Sequence, residues 1–316
     1  MKYIDDDYLF VEKYRPRSIE ECILPERLKK TFKEFVKQGE FPSLLLAGGP
    51  GTGKTSVAKA MCHEMGLDAW MVNGTTHGNI DILRNEITQF AATYSLMGGG
   101  KKKVLIYDEA DYLSWKTQPA LRGFIEDFSS NCTCILTCNY KNKIMEPIRS
   151  RTTVIDFDYK KEERPKMMGE LMSRIEEILM KEGVQYQRSV IAELIKIYFP
   201  DIRRVLNELQ RYSASGVIDS SILSLINDTD ISKFIHFLAE KNFKGIRKWI
   251  WSNSSIDYNS FYTTLFDEML KVLEPSSIPQ MTLIIGDYQN RAVNSLNQQI
   301  NLLSCCVELM SENEFK

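Results

Sequence analysis

The sequence predicts an α/β protein, with a parallel-sheet domain over residues 1–157, a small helical domain over 158–228 and an all-helical domain over 229–316. Three observations lead to this prediction. Five short apolar runs alternate with helix-like stretches in the first half, as in sheets whose parallel strands are joined by helices. A glycine-rich loop directly follows the first run, at the edge where open α/β sheets bind ligands. Beyond Tyr159 apolar residues recur at every third or fourth position, which indicates helices.

The apolar runs of the first domain are the expected strands. They are SLLLA at 43–47, AWMVN at 69–73, VLIYDEA at 104–110, CILTCN at 134–139 and TVIDF at 153–157. Helices are expected directly after Thr55, from about Ile80 to Tyr94, and from about Gln118, because these stretches separate one strand from the next.

Helical periodicity dominates the remaining sequence. The second domain contains PKMMGELMSRIEEILMKEG and SVIAELIKIYF, punctuated by Gly183 and Pro200. The third contains IHFLAEKNFKGIRKWIW, FYTTLFDEMLKVL and AVNSLNQQINLLSCCVELM. The Trp, Phe, Leu and Met of these last segments are typical of a core and of a subunit interface.

Composition limits the function classes. The chain has 316 residues and a formal net charge of −2, so no global positive field indicates nucleic acid, and any such contact is expected to be local. No apolar stretch approaches the roughly 18 residues that span a bilayer. The acidic, aromatic start MKYIDDDYLF lacks the pattern of a secretory signal. A cytoplasmic protein without membrane contact is predicted.

Seven cysteines raise the question of disulfides or zinc. The number is odd, no C-x-x-C pair occurs and no export signal is present, which favours reduced thiols. Cys132, Cys134 and Cys138 have the same parity, so on a strand they face one side and are expected to be small buried residues. Cys305 and Cys306 are expected to pack within a helical core.

The glycine-rich run GGPGTGKT, from Gly48 to Thr55, has the pattern of a phosphate-binding loop. Its glycines let successive backbone N–H groups face phosphate oxygens, while Lys54 reaches the terminal phosphates and the Thr55 hydroxyl can bind Mg²⁺. The strand before the loop and the helix-like stretch after it supply the required context. The predicted nucleotide-binding positions here are Gly51, Thr52, Gly53, Lys54, Thr55 and Ser56.

A second motif follows about fifty residues later, where the apolar run VLIY ends in Asp108 and Glu109. An aspartate at the end of a buried strand can hold Mg²⁺ through water, and the following glutamate can polarise an attacking water molecule. Together the two motifs predict hydrolysis of a nucleoside triphosphate, with ATP and Mg²⁺ as cofactors.

An ordered series of motifs over nearly the whole chain resembles the AAA+ clamp-loader ATPases, most closely the large-subunit branch of T4-type bacteriophages. Besides the two motifs above, the series is VEKYRP at 11–16, ECILP at 21–25, IDILRNEI at 80–87, LTCN ending at Asn139, EPIRSR ending at Arg151 and FPDIRRVLNEL at 199–209. The resemblance implies an AAA+ P-loop domain, a helical lid and a helical collar that joins subunits.

The resemblance also implies positions around the nucleotide. Val11, Glu12, Lys13, Tyr14 and Ile23 match an adenine pocket, where apolar contacts hold the base and main chain reads its edge. Packing of this entry segment on the sheet is the alternative.

Two further positions match residues that sense the phosphates. Asn139 matches sensor 1, an amide that aligns the attacking water or touches the terminal phosphate; an ordinary strand-end asparagine is the alternative. Arg203 matches sensor 2, a lid cation over the phosphates, although Arg204 beside it is an alternative.

Arg151 matches the arginine that enters a neighbouring subunit's site and neutralises charge on the transferred phosphoryl group. This chain has Ser150-Arg151-Thr152, so the family's following cysteine is replaced while the charge is retained. The alternative is a surface arginine in an ion pair.

Other matches concern partners. Arg84 and Lys116 match residues that face template phosphates, with an ordinary helix-surface cation as the alternative. Tyr94, Leu96 and Met97 precede three glycines in a loop that in the family touches the sliding clamp. Packing of these apolar side chains on the chain's own surface is equally compatible.

The implied function is an ATP-hydrolysing motor subunit that opens a sliding clamp and places it on primer–template DNA during replication. The expected partners are several copies of this chain, a different small loader subunit, the ring-shaped clamp and primer–template DNA, in the cytoplasm of an infected bacterial host. The alternatives are another AAA+ nucleic-acid remodelling ATPase and a structural loader subunit that binds nucleotide without hydrolysis.

Overall fold

A computed structural model describes residues 8–74, 87–92, 102–214, 216–219, 231–253, 256, 258–292 and 295–316. The chain forms two compact units, Met1–Asp219 and Ser220–Lys316. The division into three domains at residues 157 and 228 stays a prediction.

A five-stranded parallel sheet lies at the centre of the N-terminal unit and confirms the predicted fold class. Its strand order is β2-β3-β4-β1-β5, so the strand before the phosphate loop lies between two others. The strands are β1 Leu44–Ala47, β2 Ala69–Asn73, β3 Lys103–Asp108, β4 Cys132–Cys138 and β5 Thr153–Asp156.

The two central strands are apolar because both faces of the sheet are covered. All residues of β1 and β4 are buried, as in parallel sheets with helices on each side. Side chains alternate between two cores along β1: Leu44 and Leu46 pack on one face, and Leu45 and Ala47 on the other.

Among the residues that the structure describes, six α-helices belong to this sheet domain: α1 Phe10–Lys13, α2 Glu26–Gln38, α3 Lys54–Glu64, α4 Thr88–Ala92, α5 Gln118–Asp127 and α6 Glu146–Arg149. Helices α3 and α5 were predicted from the sequence, and α4 is the described part of the helix expected over 80–94. Helix α2 is an addition to those predictions. It buries Leu28 and Phe32, and the Phe32 ring lies 6.1 Å from that of Phe157 beyond β5.

The cysteines lie in the hydrophobic cores. Cys132, Cys134 and Cys138 share one face of β4, as their parity predicts, and all seven cysteines are buried free thiols. Burial raises the pKa of Cys138 to about 12, as it does for Cys22 and Cys62. These thiols therefore stay protonated and unreactive near neutral pH.

Three helices follow the sheet within the same unit: α7 Arg164–Lys181, α8 Arg188–Tyr198 and α9 Ile202–Ser213. The first two match the predicted helical stretches. A two-residue strand, β6 Gln185–Tyr186, lies between α7 and α8. It pairs in parallel with a second one, β7 Val217–Ile218, which follows α9. Asp201 caps α9, because its carboxylate accepts a hydrogen bond from the Arg204 N–H at 3.0 Å.

The C-terminal unit consists of helices over the residues that the structure describes. They are α10 Ile231–Ala239, α11 Phe243–Ser252, α12 Tyr258–Val272, α13 Ile278–Ala292 and α14 Gln298–Glu312. The first predicted stretch is two helices, since Lys241 takes a left-handed conformation and the Asn242 side chain caps α11. Among the described residues no helix has the length and apolarity to cross a membrane.

One buried amide crosslinks the core of this unit. Asn301 on α14 donates hydrogen bonds to the Tyr262 hydroxyl at 2.9 Å and to the Tyr288 carbonyl at 3.0 Å. Tyr262 is fully buried on α12, and Cys305 and Cys306 pack in the same core. The amide thereby joins three helices by polar contacts that water does not reach.

Replacing Asn301 by Leu is expected to lower the free energy of unfolding by about 1–3 kcal/mol, because it leaves the buried Tyr262 hydroxyl without this partner. Adding Tyr262→Phe to Asn301→Leu should recover part of the loss, since both polar groups are then gone. Urea titrations followed by tryptophan fluorescence measure the three stabilities, with Ser304→Ala on the exposed face of α14 as control. A double variant less stable than Asn301→Leu would contradict this account.

Candidate nucleotide-binding site

A cavity lies at the carboxyl edge of the sheet, between the strand ends and helices α7 and α9. Strand ends contribute Asp108, Glu109 and Asn139, and the loop after β1 contributes Gly51 and Gly53. The other wall comes from the N-terminal segment and the two helices. It includes Val11, Tyr14, Arg15, Ile23, Leu171, Arg174, Ile178, Arg203 and Leu206.

The phosphate-loop motif forms the turn that its sequence predicts. Gly51 and Gly53 have φ values of +70° and +90°, in the left-handed region that favours glycine. Helix α3 begins directly afterwards at Lys54, so its first N–H groups and the positive end of its dipole face the cavity. This is the backbone arrangement that binds phosphate oxygens.

Lys54 connects the loop to the neighbouring strand. Its ammonium group donates hydrogen bonds to the carbonyls of Gly48 and Gly49, at 2.6 and 2.7 Å, and to Oδ1 of Asn139 at 2.9 Å. Burial lowers the pKa of Lys54 to about 8. The cavity therefore holds a partly desolvated cation, whose interaction with an anion is stronger than that of a surface lysine.

Three oxygen-bearing side chains converge beside Lys54. The hydroxyls of Thr55 and Thr137 both donate hydrogen bonds to Oδ1 of Asp108, each at 2.6 Å. Carboxylate and hydroxyl oxygens are the ligands that Mg²⁺ prefers. Thr55 and Asp108, the two predicted metal ligands, therefore fit that ion in type and in proximity.

Glu109 and Asn139 are fixed by their backbones. Glu109 has φ +56° and donates its N–H to the Thr137 hydroxyl at 3.1 Å. The N–H groups of Asn139 and Tyr140 both donate to Oδ2 of buried Asp111, at 3.3 and 3.2 Å. A left-handed glutamate is strained, which is typical of functional positions.

The predicted adenine-pocket residues fall into two groups. Val11, Tyr14 and Ile23 line the cavity. The side chains of Glu12 and Lys13 do not: Glu12 forms a close ion pair with Arg15, and Lys13 lies 2.7 Å from Glu182. Any contact of these two residues with a base would therefore come from main chain.

The start of α9 and the segment before α7 are both attached to the phosphate loop. The Ile202 N–H donates to the Gly51 carbonyl at 3.1 Å, and the Tyr159 hydroxyl donates to the Thr52 carbonyl at 2.5 Å. A Cβ on Gly51 would lie only 1.7 Å from Asp201 Oδ1 and 3.0 Å from its Cα. The loop and the start of α9 thus fit together only with glycine at this position.

The two adjacent arginines of α9 have different surroundings. Arg203 lines the cavity, whereas the Arg204 guanidinium lies 4.7 Å from the centre of the Tyr198 ring. Asp201 fixes where α9 begins, because its carboxylate accepts a hydrogen bond from the Arg204 N–H, and the start of the helix decides which of the two arginines faces the cavity.

Arg151 is remote from this cavity. It precedes β5, whose parallel pairing with β1 aligns Leu44 with Thr153, so Arg151 lies at the amino edge of the sheet. A strand length of about 10 Å separates that edge from the phosphate loop. The guanidinium contacts Glu126 and the Pro147 carbonyl, the latter at 2.8 Å.

The predicted partner contacts are described only in part. Lys116 is exposed, just before α5. Arg84, Tyr94, Leu96 and Met97 lie outside the described residues.

The cavity residues that were not predicted from the sequence include Arg15, Thr137 and Arg174. Arg15 donates a hydrogen bond to the Ser56 hydroxyl at 3.3 Å. It belongs to the VEKYRP motif, so the sequence did contain a pattern that could have identified it as a site residue. Thr137 lies inside an apolar strand run and Arg174 on an ordinary amphipathic helix, so neither position differs visibly from a packing or surface residue.

Comparison with protein families covers three parts of the chain. A model described as the ATPase family associated with various cellular activities (AAA) matches residues 44–159. The sliding-clamp-loader large-subunit models for the AAA+ ATPase lid domain and for the C-terminal domain match residues 163–224 and 257–314. The sliding-clamp-loader large subunit of Enterobacteria phage T4 is 36% identical over 318 residues, covering 99% of this chain and 98% of that protein. The chain belongs to the sliding-clamp-loader large-subunit family.

Other relatives agree with this family and with its AAA+ ATPase fold. The sliding-clamp-loader large subunit of Escherichia phage RB69 is 36% identical over 98% of both chains. The replication factor C small subunit of Archaeoglobus fulgidus is 31% identical, over 93% of this chain and 94% of that one. Among solved structures, a RuvB variant from Thermotoga maritima matches with TM-score 0.51 and 21% identity over 67% of this chain and 72% of the other, a likeness of fold alone. The predicted clamp-loader resemblance is thereby confirmed.

The contact between loop and α9 gives a stability prediction. Gly51→Ala and Gly53→Ala both force a left-handed alanine, which costs about 1–2 kcal/mol. Only Gly51→Ala also collides with Asp201, since nothing lies within 4 Å of a Cβ on Gly53. Gly51→Ala should therefore lose about 1–3 kcal/mol more than Gly53→Ala in denaturant unfolding of the nucleotide-free protein. Equal losses would show that the loop does not depend on its contact with α9.

Proposed function

We propose that this chain is an ATP-hydrolysing motor subunit of a sliding-clamp loader, which opens a ring-shaped clamp and loads it on primer–template DNA. One observation carries the catalytic part of the proposal. Lys54, Thr55, Asp108, Glu109 and Asn139 meet in one cavity within hydrogen-bonding distance of one another or of a shared partner. Family membership supports the loader part.

Nucleotide binding is assigned to two walls of the cavity. The apolar side chains of Val11, Tyr14 and Ile23 hold the base, and the phosphate loop with the start of α3 holds the phosphates. Lys54 exchanges its hydrogen bonds to loop carbonyls for phosphate oxygens, a favourable change for a buried cation. Thr55 and Asp108 would hold Mg²⁺, which would supply positive charge to neutralise the phosphates.

Glu109 and Asn139 are assigned to the attacking water. Glu109 accepts its proton, and its place in the cavity wall supports this role. Asn139 orients the water or the terminal phosphate through its amide. The hydrogen bonds that Asp111 accepts from the Asn139 and Tyr140 N–H groups support this role, since they fix the strand end in one position.

Arginines complete the charge stabilisation. Arg203 serves as sensor 2, which its place in the cavity wall supports over Arg204. Arg151 acts in the site of an adjacent copy, where it neutralises charge on the transferred phosphoryl group. Its location at the amino edge supports a role in trans, because a side chain there cannot reach its own phosphate loop.

The partners follow from the family. We propose several copies of this chain with a different small subunit, acting on the clamp and on DNA in the host cytoplasm. Arg84 and Lys116 contact template phosphates, and Tyr94, Leu96 and Met97 enter a pocket of the clamp. A structural subunit that only binds nucleotide is the rival, and the presence of Lys54, Asp108, Glu109 and Arg151 argues against it.

The proposal is tested by ATP hydrolysis of the assembled loader with its clamp, comparing primer–template DNA with blunt duplex of equal charge. Primed DNA should accelerate hydrolysis several-fold over the duplex, and the clamp should increase the difference. The Glu109→Gln loader is the control: it should bind ATP normally and lose at least about 100-fold in turnover, in the range for a general base. Equal rates on the two DNAs would reject clamp loading while leaving the ATPase intact.

The trans role of Arg151 is tested by mixing subunits. Loaders made only of Arg151→Ala chains, or only of Lys54→Ala chains, should each hydrolyse ATP poorly. Mixed loaders should regain part of the activity, because an intact phosphate loop then lies beside a neighbour with an intact arginine. Arg122→Ala, which removes another cation near Glu126, controls for a change in local charge. Mixtures no more active than the average of the pure variants would refute catalysis in trans.

A further inference from the structure

An exposed cluster of aromatic and basic side chains lies beside the cavity, and Lys116 is the one member of it that has been assigned a role above. It consists of Tyr112, Trp115 and Lys116 on the loop before α5 and of Tyr140 and Lys143 on the loop after β4. The aromatic side chains are strongly exposed: Trp115 is 76% accessible, Tyr112 58% and Tyr140 56%. Such exposure of three large rings on two neighbouring loops is unusual on a surface that contacts only water.

The buried side-chain amide of Gln118 connects the two loops. Gln118 donates a hydrogen bond to the Lys143 carbonyl at 2.9 Å and accepts one from the Met145 N–H at 2.8 Å. The Lys143 ammonium lies 4.7 Å from the centre of the Tyr140 ring and 5.9 Å from that of Tyr112. The Tyr112 and Tyr140 rings therefore flank one cation, on two loops that Gln118 joins.

The charge of this aromatic–basic cluster is positive. No acidic residue occurs from Tyr112 to Ile125 or from Asn139 to Met145. Within the described part of the chain neither Lys116 nor Lys143 pairs with a carboxylate, whereas Lys141 beside them pairs with Asp156 at 3.0 Å. A ligand of opposite charge is therefore favoured.

We infer that the aromatic–basic cluster binds single-stranded DNA, with bases stacked on Trp115 and the tyrosines and phosphates near Lys116 and Lys143. Exposed rings among lysines that form no ion pair with a carboxylate fit this polymer, because every base has a flat face and every linkage carries a negative charge. The inference rests on the proposed function, in which the natural ligand is the unpaired template strand beside the primed junction.

Binding of a fluorescent oligo(dT) of about 15 nucleotides to the full-length chain tests the stacking, over a range of salt concentrations. Trp115→Leu keeps an apolar side chain but removes the ring, so its affinity should fall roughly tenfold or more at every salt concentration. Trp115→Phe should lose much less. Lys116→Gln should instead flatten the salt dependence, by a slope of about 0.7 per lost phosphate contact. Trp251→Leu, at a partly exposed tryptophan of the C-terminal unit, is the matched control and should bind like wild type.

Fluorescence provides a second measurement. Oligo(dT) should quench part of the tryptophan emission of the wild type, and that part should be missing in Trp115→Phe. Unchanged affinity in Trp115→Leu together with unchanged quenching in Trp115→Phe would overturn the inference. So would normal DNA binding by Trp115→Leu with loss of binding to the clamp or to another subunit, because the cluster would then be a protein-docking surface.

The outcome is separable from that of the proposed function. Trp115→Leu should retain the basal ATPase rate, which also shows that it folds. If primed DNA stimulates the wild-type loader and Trp115→Leu binds oligo(dT) normally, only the inference fails. If primed DNA does not stimulate the wild-type loader, the proposed function fails whatever the cluster binds.

Discussion

The carboxylate of Asp108 is the contact on which the rest of the site depends. Hydroxyls from the start of α3 and from β4 both bind its Oδ1, so one atom ties the phosphate-loop helix to two adjacent strands. The parallel pairing of β3 with β4 makes this possible, because it brings Asp108 to the same edge as Thr137 and Asn139. Charge-assisted hydrogen bonds of this kind are the stronger class. The same threonine that donates to Asp108 also accepts a hydrogen bond from the Glu109 N–H, so one hydroxyl joins the proposed metal ligand to the proposed base.

Much of this arrangement could be predicted from the sequence, for physical reasons. Strands buried on both faces appear as uninterrupted apolar runs, and a glycine-rich turn before a helix has few other uses. Lys54, Thr55 and Asp108 are therefore identifiable from their motifs alone. Thr137 is not, since a threonine in a buried run gives no indication of which neighbour its hydroxyl meets until the register of β3 and β4 is known.

The remaining differences come from local backbone geometry. Arg203 and Arg204 are adjacent, and only the position of the Asp201 cap decides which of them turns to the cavity. Likewise, the predicted helix over IHFLAEKNFKGIRKWIW divides because Lys241 adopts φ +53°, a conformation that its residue type does not favour. Periodicity continues across such a break, so the apolar pattern alone could not reveal it.

The location of Arg151 at the amino edge has a consequence for how much ATP the chain consumes before assembly. On the proposed assignment an isolated chain holds a nucleotide but lacks one of the charges that its hydrolysis needs. Specific activity then rises with chain concentration until the subunits are assembled, instead of remaining constant as for an enzyme with a complete site. Newly made, unassembled chains therefore consume little ATP, and turnover begins only once the subunits have assembled into a loader.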